Sequence, residues 1–172
     1  MELIILLKLT ERPPKAQSFD FTNGYKYYLQ MDSGKSDFIL LDHTADLGII
    51  VRGSDTKDLF EKAGLAVIHL MINSIPDRET KSIRISLNGN DLAELMVNWL
   101  GEILYLFEGE KEIVTSIVID SISPTYLDAT LKTVSFDPKL HDIMCEIKAV
   151  TYHQLEVAKR NDHWEAKVIF DL

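Results

Sequence analysis

The stretch DLAELMVNWLGEILYLFEGEKEIVTSIVIDSISPTYLDATLKT, residues 91–133, changes periodicity partway along, and that change decides the fold class. Leu92, Leu95, Met96, Trp99, Leu100, Ile103, Leu104 and Phe107 recur at three- and four-residue spacing. Side chains so spaced share one face of an α-helix, which predicts a helix over Asp91–Glu108. Asn90 is placed to cap its start, and Asp91 and Glu94 suit the positive end of the helix dipole. Beyond Glu108 the residues become β-branched and aromatic, in two runs, Ile113–Ile122 and Tyr126–Thr133. Such side chains fit a pleated surface. Only a short turn at Ser123-Pro124 separates the runs. Parallel neighbours need a long crossover, so these two strands pair antiparallel.

Upstream, Leu59, Phe60, Ala63, Val67, Leu70 and Met71 form a second apolar stripe. It predicts a helix over Thr56–Asn73, with Ser54 or Asp55 as its cap and Pro76 just past its end. Phe38–Asp42, Asp46–Arg52, Ser82–Leu87, Cys145–Val157 and Trp164–Asp171 read as further strands. The class is therefore α+β: an antiparallel β-sheet packed with two amphipathic α-helices in a single domain. Residues 1–36 differ in character, with Pro13-Pro14 and the polar run Met31 to Ser36, and read as a dispensable N-terminal extension. Within them Tyr25–Tyr28 has the make-up of a short strand; the domain proper spans residues 37–172.

Composition narrows the function. The chain has 172 residues, 46% hydrophobic and 26% charged, as expected of one folded domain. Its net charge is −9, from 27 acidic and 18 basic residues. Phosphate neutralisation by Lys and Arg supplies most nucleic-acid affinity, so so acidic a chain is poorly suited to gripping RNA alone. It is better suited to a basic protein or to cations. The single cysteine, Cys145, excludes an internal disulfide and any multi-cysteine metal site. The apolar run Leu3–Leu7 is too short for a signal-peptide core, and no run reaches a membrane span, so a cytoplasmic protein is expected.

Alternation places side chains in the last two strands. Cys145, Ile147, Ala149, His153, Leu155 and Val157 fall on one face, and Glu146, Lys148, Tyr152 and Gln154 on the other. In the final strand Trp164, Ala166, Val168 and Phe170 share the apolar face, which leaves Asp171 on the polar one. The Asp171 side chain and the Leu172 α-carboxylate then stand side by side, repelling each other unless solvated or bridged by a cation. Oxygen donors of this kind suit a hard divalent ion. A third ligand could come from Asp42-His43-Thr44-Ala45-Asp46, a pattern that is also that of a side-chain-stabilised turn. Cys145 and His69 read as structural residues. No Gly-x-Ser-x-Gly elbow and no glycine-rich phosphate loop is present.

Three segments in order resemble the archease family: Leu41-Asp42-His43-Thr44-Ala45-Asp46-Leu47-Gly48-Ile49; the helix around Asn98–Phe107; and Phe136–Ile143 followed by Glu146–His153 and the closing Val168–Leu172. The likeness covers residues 37–172. It implies a non-catalytic activator of the RNA-splicing ligase RtcB, which joins 2′,3′-cyclic phosphate or 3′-phosphate RNA ends to 5′-hydroxyl ends in tRNA splicing and repair. Such activators promote guanylylation and turnover of the ligase and meet RNA only through it. The resemblance further implies a metal site at Asp46, Asp171 and Leu172, holding Ca, Mg or Mn, and a role in activation for Lys148. Glu146, His43 and His141 are candidates for the same surface. Two other classes compete: a general chaperone or assembly factor, and a metal-dependent hydrolase, for which no activated nucleophile is visible.

Overall fold

A computed structural model describes residues 26–29, 38–42, 47–73, 75 and 79–172. In chain order the elements are β1 (Lys26–Leu29), β2 (Phe38–Asp42), β3 (Leu47–Gly53), α1 (Thr56–Met71), β4 (Lys81–Asn88), α2 (Leu92–Glu108), β5 (Glu112–Ser123), β6 (Tyr126–Ser135), β7 (Ala149–Arg160) and β8 (His163–Asp171). The α+β class read from the sequence is the one observed. The strands form two antiparallel sheets, ordered β1-β2-β3-β8-β7 and β4-β6-β5. Alternation within a strand reports which face is buried, not which strand it pairs with, so the division into two sheets has no local signature. The first sheet takes its edge strand β1 from the stretch that the sequence sets apart as an extension.

The two helices join the sheets. α1 packs on β3 and β8 of one sheet and β5 of the other; α2 packs on β7 and on β4 and β5. One continuous core results, with Phe60, Met71, Trp99, Phe107 and Phe170 fully buried. At the helix crossing Gly64 lies against Trp99, where a Cβ would stand 3.2 Å from the indole ring and 2.5 Å from Ile117 Cδ1. That close approach lets the Trp99 Nε1–H donate to the Phe60 carbonyl at 2.9 Å, so the buried indole keeps a partner.

The helix starts follow their acidic caps. Asp55 Oδ1 accepts the Asp58 N–H at 2.9 Å. In α2 the cap is Asp91, one residue later than the sequence suggested, and it accepts from the Glu94 N–H at 2.8 Å. Asn90 instead donates its backbone N–H to the Glu94 carboxylate at 2.7 Å, so that side chain folds back over the helix start. α1 ends two residues earlier than expected. The Asn73 N–H then donates to the Asp142 carbonyl and the Met144 N–H to the Met71 carbonyl, tying segment 142–144 to the helix end.

The largest departure is in the strand expected over Cys145–Val157. Regular pairing begins only at Ala149, opposite Asp171, and is interrupted after Thr151. Residues 152–155 then stand opposite Val168 alone, before Glu156 pairs with Lys167. The insertion is odd in number, so alternation reverses across it: Val150 pairs with Phe170, and Val157 with Ala166, both on the core side. Ala149 consequently falls on the polar face, not the apolar one. His153, expected in the core, is exposed in this bulge beside Gln154, whose φ of 52° is in the left-handed region.

Candidate functional site

The polar end of β8 is built by three strands meeting. β3 enters the sheet at Leu47, opposite Phe170. On its other flank Leu47 pairs with Asp42, so the connection 43–46 spans two directly paired residues. Asp46 is thus bonded to Leu47, whose partner Phe170 is bonded to Asp171. His43 and Asp46 themselves lie outside the described residues.

From the opposite side comes the segment leading into β7. The Lys148 N–H donates to the Asp171 carbonyl at 2.9 Å, extending the ladder one step past Ala149. The Lys148 ammonium then reaches the main-chain oxygen of Leu172 at 2.7 Å. Lys148 and Asp171 are both exposed, while Leu172 is half-buried and packs its side chain against the core. This packing fixes the last residue, so its main-chain oxygen is presented from an anchored position. Alternation placed Asp171 on the polar face; Lys148, expected there as part of a strand, instead precedes β7, and the two meet through Leu172 by antiparallel adjacency, which no single strand reveals.

The other candidates are dispersed. Glu146 is exposed, just before β7; burial, reinforced by the Glu146 charge, holds the Cys145 thiol above its ordinary range. Cys145 is half-buried against the core and so is disfavoured as a thiolate nucleophile. His141 does not share the Lys148 surface. It is 2% exposed, stacked on Phe136 at 5.7 Å, and its Nδ1 accepts the Asp137 N–H at 2.9 Å. Its Nε2 has no hydrogen-bond partner among the described residues. His69 is partly buried in α1, and burial lowers its pKa.

Among the described residues no group of three or more His, Cys, Asp and Glu side chains is gathered as a metal cage. The donor set beside Lys148 does have the right chemistry for a hard cation. The Asp171 carboxylate and the Leu172 oxygen are hard oxygen ligands, and the latter already accepts from a positive charge. Among the described residues no helix is long and apolar enough to cross a membrane.

Comparison with known proteins agrees with this architecture. The family model described as the Archease protein family (MTH1598/TM1083) matches residues 38–172. A protein archease from Methanosarcina acetivorans is 34% identical over 146 residues, covering 83% of this chain and 100% of the relative. The chain belongs to the archease family. A Pyrococcus furiosus protein archease is 30% identical over 135 residues, covering 76% of this chain and 95% of its own. The solution structure of Methanobacterium thermoautotrophicum protein 1598 superposes with a TM-score of 0.62 at 26% identity, covering 78% of this chain and 98% of that one. A Thermotoga maritima crystal structure, described as an archease and possible chaperone, shares the fold with a TM-score of 0.51 at 22% identity, covering 77% and 94%.

Proposed function

We propose that this archease is a non-catalytic activator of an RtcB-type RNA ligase, promoting guanylylation and repeated turnover during tRNA splicing and RNA repair. The observation that carries the reading is the Lys148 ammonium resting on the Leu172 oxygen beside Asp171, at the sheet end where Asp42 pairs with Leu47 and Leu47 with Phe170. Family membership supports it, because the matched region contains every residue involved.

Asp46, Asp171 and the Leu172 carboxylate would hold a divalent ion, Ca, Mg or Mn. When bound, such an ion supplies positive charge that neutralises and orients a phosphate group. The chain's own residues do the rest. The backbone of Asp171 is held at the end of β8 by its carbonyl bond to Lys148, and its carboxylate is exposed there. Lys148 offsets the charge of the Leu172 carboxylate when no ion is bound, and would turn toward a partner's phosphate-bearing nucleotide when an ion takes its place. Neither a nucleophile nor a nucleotide pocket is required of this chain; both belong to the ligase. Contact with RNA runs through the ligase, consistent with a net charge of −9.

A second reading, as a general chaperone, draws on the half-exposed side chains of Leu140, Ile143 and Met144 in the segment before β7. The two are separated by following ligase–GMP formation from labelled GTP. Wild-type protein accelerates guanylylation, and Asp171→Ala does not, although its circular dichroism is unchanged. Equal acceleration by the variant, or protection of unrelated aggregating proteins by both, would favour the chaperone.

A further inference from the structure

A groove of about 390 Å³ runs between α2 and the start of β7. Its walls include Val97, Gly101, Leu104 and Tyr105 from the helix, and Val150 and Lys148 from the strand side. Val97, Gly101 and Tyr105 follow one another at four-residue spacing, forming a stripe beside the buried face of α2.

Gly101 is the unusual member. A glycine inside a helix weakens it, because the unfolded chain gains freedom and no side chain packs. The other described glycines have an internal reason: a Cβ on Gly48, Gly53, Gly64, Gly89 or Gly109 would come within 2.8 Å of a neighbouring atom. At Gly101 a Cβ would meet nothing within 4 Å. The fold of the described residues therefore gives no cause for a glycine here, and the space it leaves opens into the groove.

Tyr105 stands at the edge of that space. It is 54% exposed, and its hydroxyl donates to Glu110 at 2.7 Å, which ties the ring to the end of α2. A fixed, exposed aromatic ring with a polar tip is the kind of side chain enriched at protein interfaces. Glu108 on the groove wall is paired with Lys111 at 3.5 Å, but Glu110 and Glu102 both act on the Tyr105 hydroxyl, so the charge on this side is negative and favours a cationic partner surface. At the other end lies Lys148, the residue that touches Leu172. The groove and the candidate site are continuous through it.

We propose that this groove is a docking site for an apolar side chain, flanked by basic residues, on the ligase that the archease activates. Gly101 leaves the hollow that the side chain enters. The inference rests on the activator reading, and it extends the contact surface along α2 away from the acidic end of β8.

The test is the affinity of the RtcB-type ligase for immobilised full-length wild type, Gly101→Leu and Tyr105→Ala. Divalent-ion binding and thermal melting of each variant are measured alongside. A leucine at 101 is expected to fill the hollow, weaken ligase binding tenfold or more, leave ion affinity unchanged and keep or raise the melting temperature. Tyr105→Ala is expected to weaken binding in the same way. Gly101→Leu binding the ligase as tightly as wild type would overturn the groove while leaving the activator reading intact. No binding by wild type would overturn both. Wild-type self-association abolished by Gly101→Leu, with ligase binding unchanged, would assign the groove to a second copy of the chain and overturn the proposal.

Discussion

The same substitution at two helical glycines should have opposite signs. Gly101→Ala in α2 and Gly64→Ala in α1 both gain the helix propensity of alanine, about 0.5–1 kcal/mol. At Gly101 nothing opposes the gain, since the new methyl meets no atom within 4 Å. At Gly64 the methyl would stand 2.5 Å from Ile117 Cδ1 and 3.2 Å from two atoms of the Trp99 ring. Ile117 can move its terminal methyl, but Trp99 is held by its bond to the Phe60 carbonyl and is fully buried. Overpacking of a tight core costs about 1–3 kcal/mol, so Gly64→Ala should lose about 1 kcal/mol net. In a domain of this size 1 kcal/mol corresponds to a shift in melting temperature of about 2–4 °C. Urea unfolding with a common slope gives both values. Gly64→Ala as stabilising as Gly101→Ala would refute the close helix crossing on which the core is built.

Glu112 makes acid stability testable. Burial raises its pKa, but the hydrogen bonds from Lys81 at 2.6 Å and from Ser135 at 3.0 Å outweigh burial and hold the carboxyl below its ordinary 4.5. The folded protein therefore binds this proton less readily than the unfolded chain. Its stabilisation is present above the ordinary glutamate value and lost as pH falls through the lowered one, so the gap between wild type and Glu112→Gln in urea should close on acidification. A gap that widens would reverse the sign. Trp99→Phe removes the donor to Phe60 and part of a buried ring, and should cost about 1–3 kcal/mol by urea midpoint; a neutral change would count against that bond. Lys148→Ala should alter stability by less than about 1 kcal/mol, being an exposed contact, yet abolish stimulation of the ligase. Stimulation at the wild-type level would remove Lys148 from the site.

Much of this fold could be read from residue order, and the failures have identifiable causes. Both helices announced themselves because the apolar residues of 59–71 and 92–107 hold their spacing without interruption. The α2 cap slipped by one because Asn90 and Asp91 are both good caps, and only the geometry decides between them. The bulge at 152–155 hides because its left-handed residue is Gln154, not a glycine that would have marked the irregularity. His153 lies within the bulge, with no partner in register on β8, which is why it is in solvent, and the parity of β7 differs on the two sides of it. At the site, Asp171 was legible because Trp164, Ala166, Val168 and Phe170 alternate along β8, although Ile169 between them is buried as well. The burial of His141 was not, since it depends on a loop turning at Asp137 and laying the imidazole on Phe136. The groove at Gly101 was equally silent: a glycine in a helix looks the same whether its hydrogen faces a neighbouring helix or open space.

The proposed activator role rests on the acidic end of β8, and multiple-turnover ligation of an RNA bearing a 2′,3′-cyclic phosphate tests it most directly. The RtcB-type ligase is run alone, with wild-type archease, and with Asp46→Ala or Asp171→Ala. Strong stimulation by wild type and none by either folded variant is expected. Equal stimulation by all three, or none by wild type at any ratio, would contradict it.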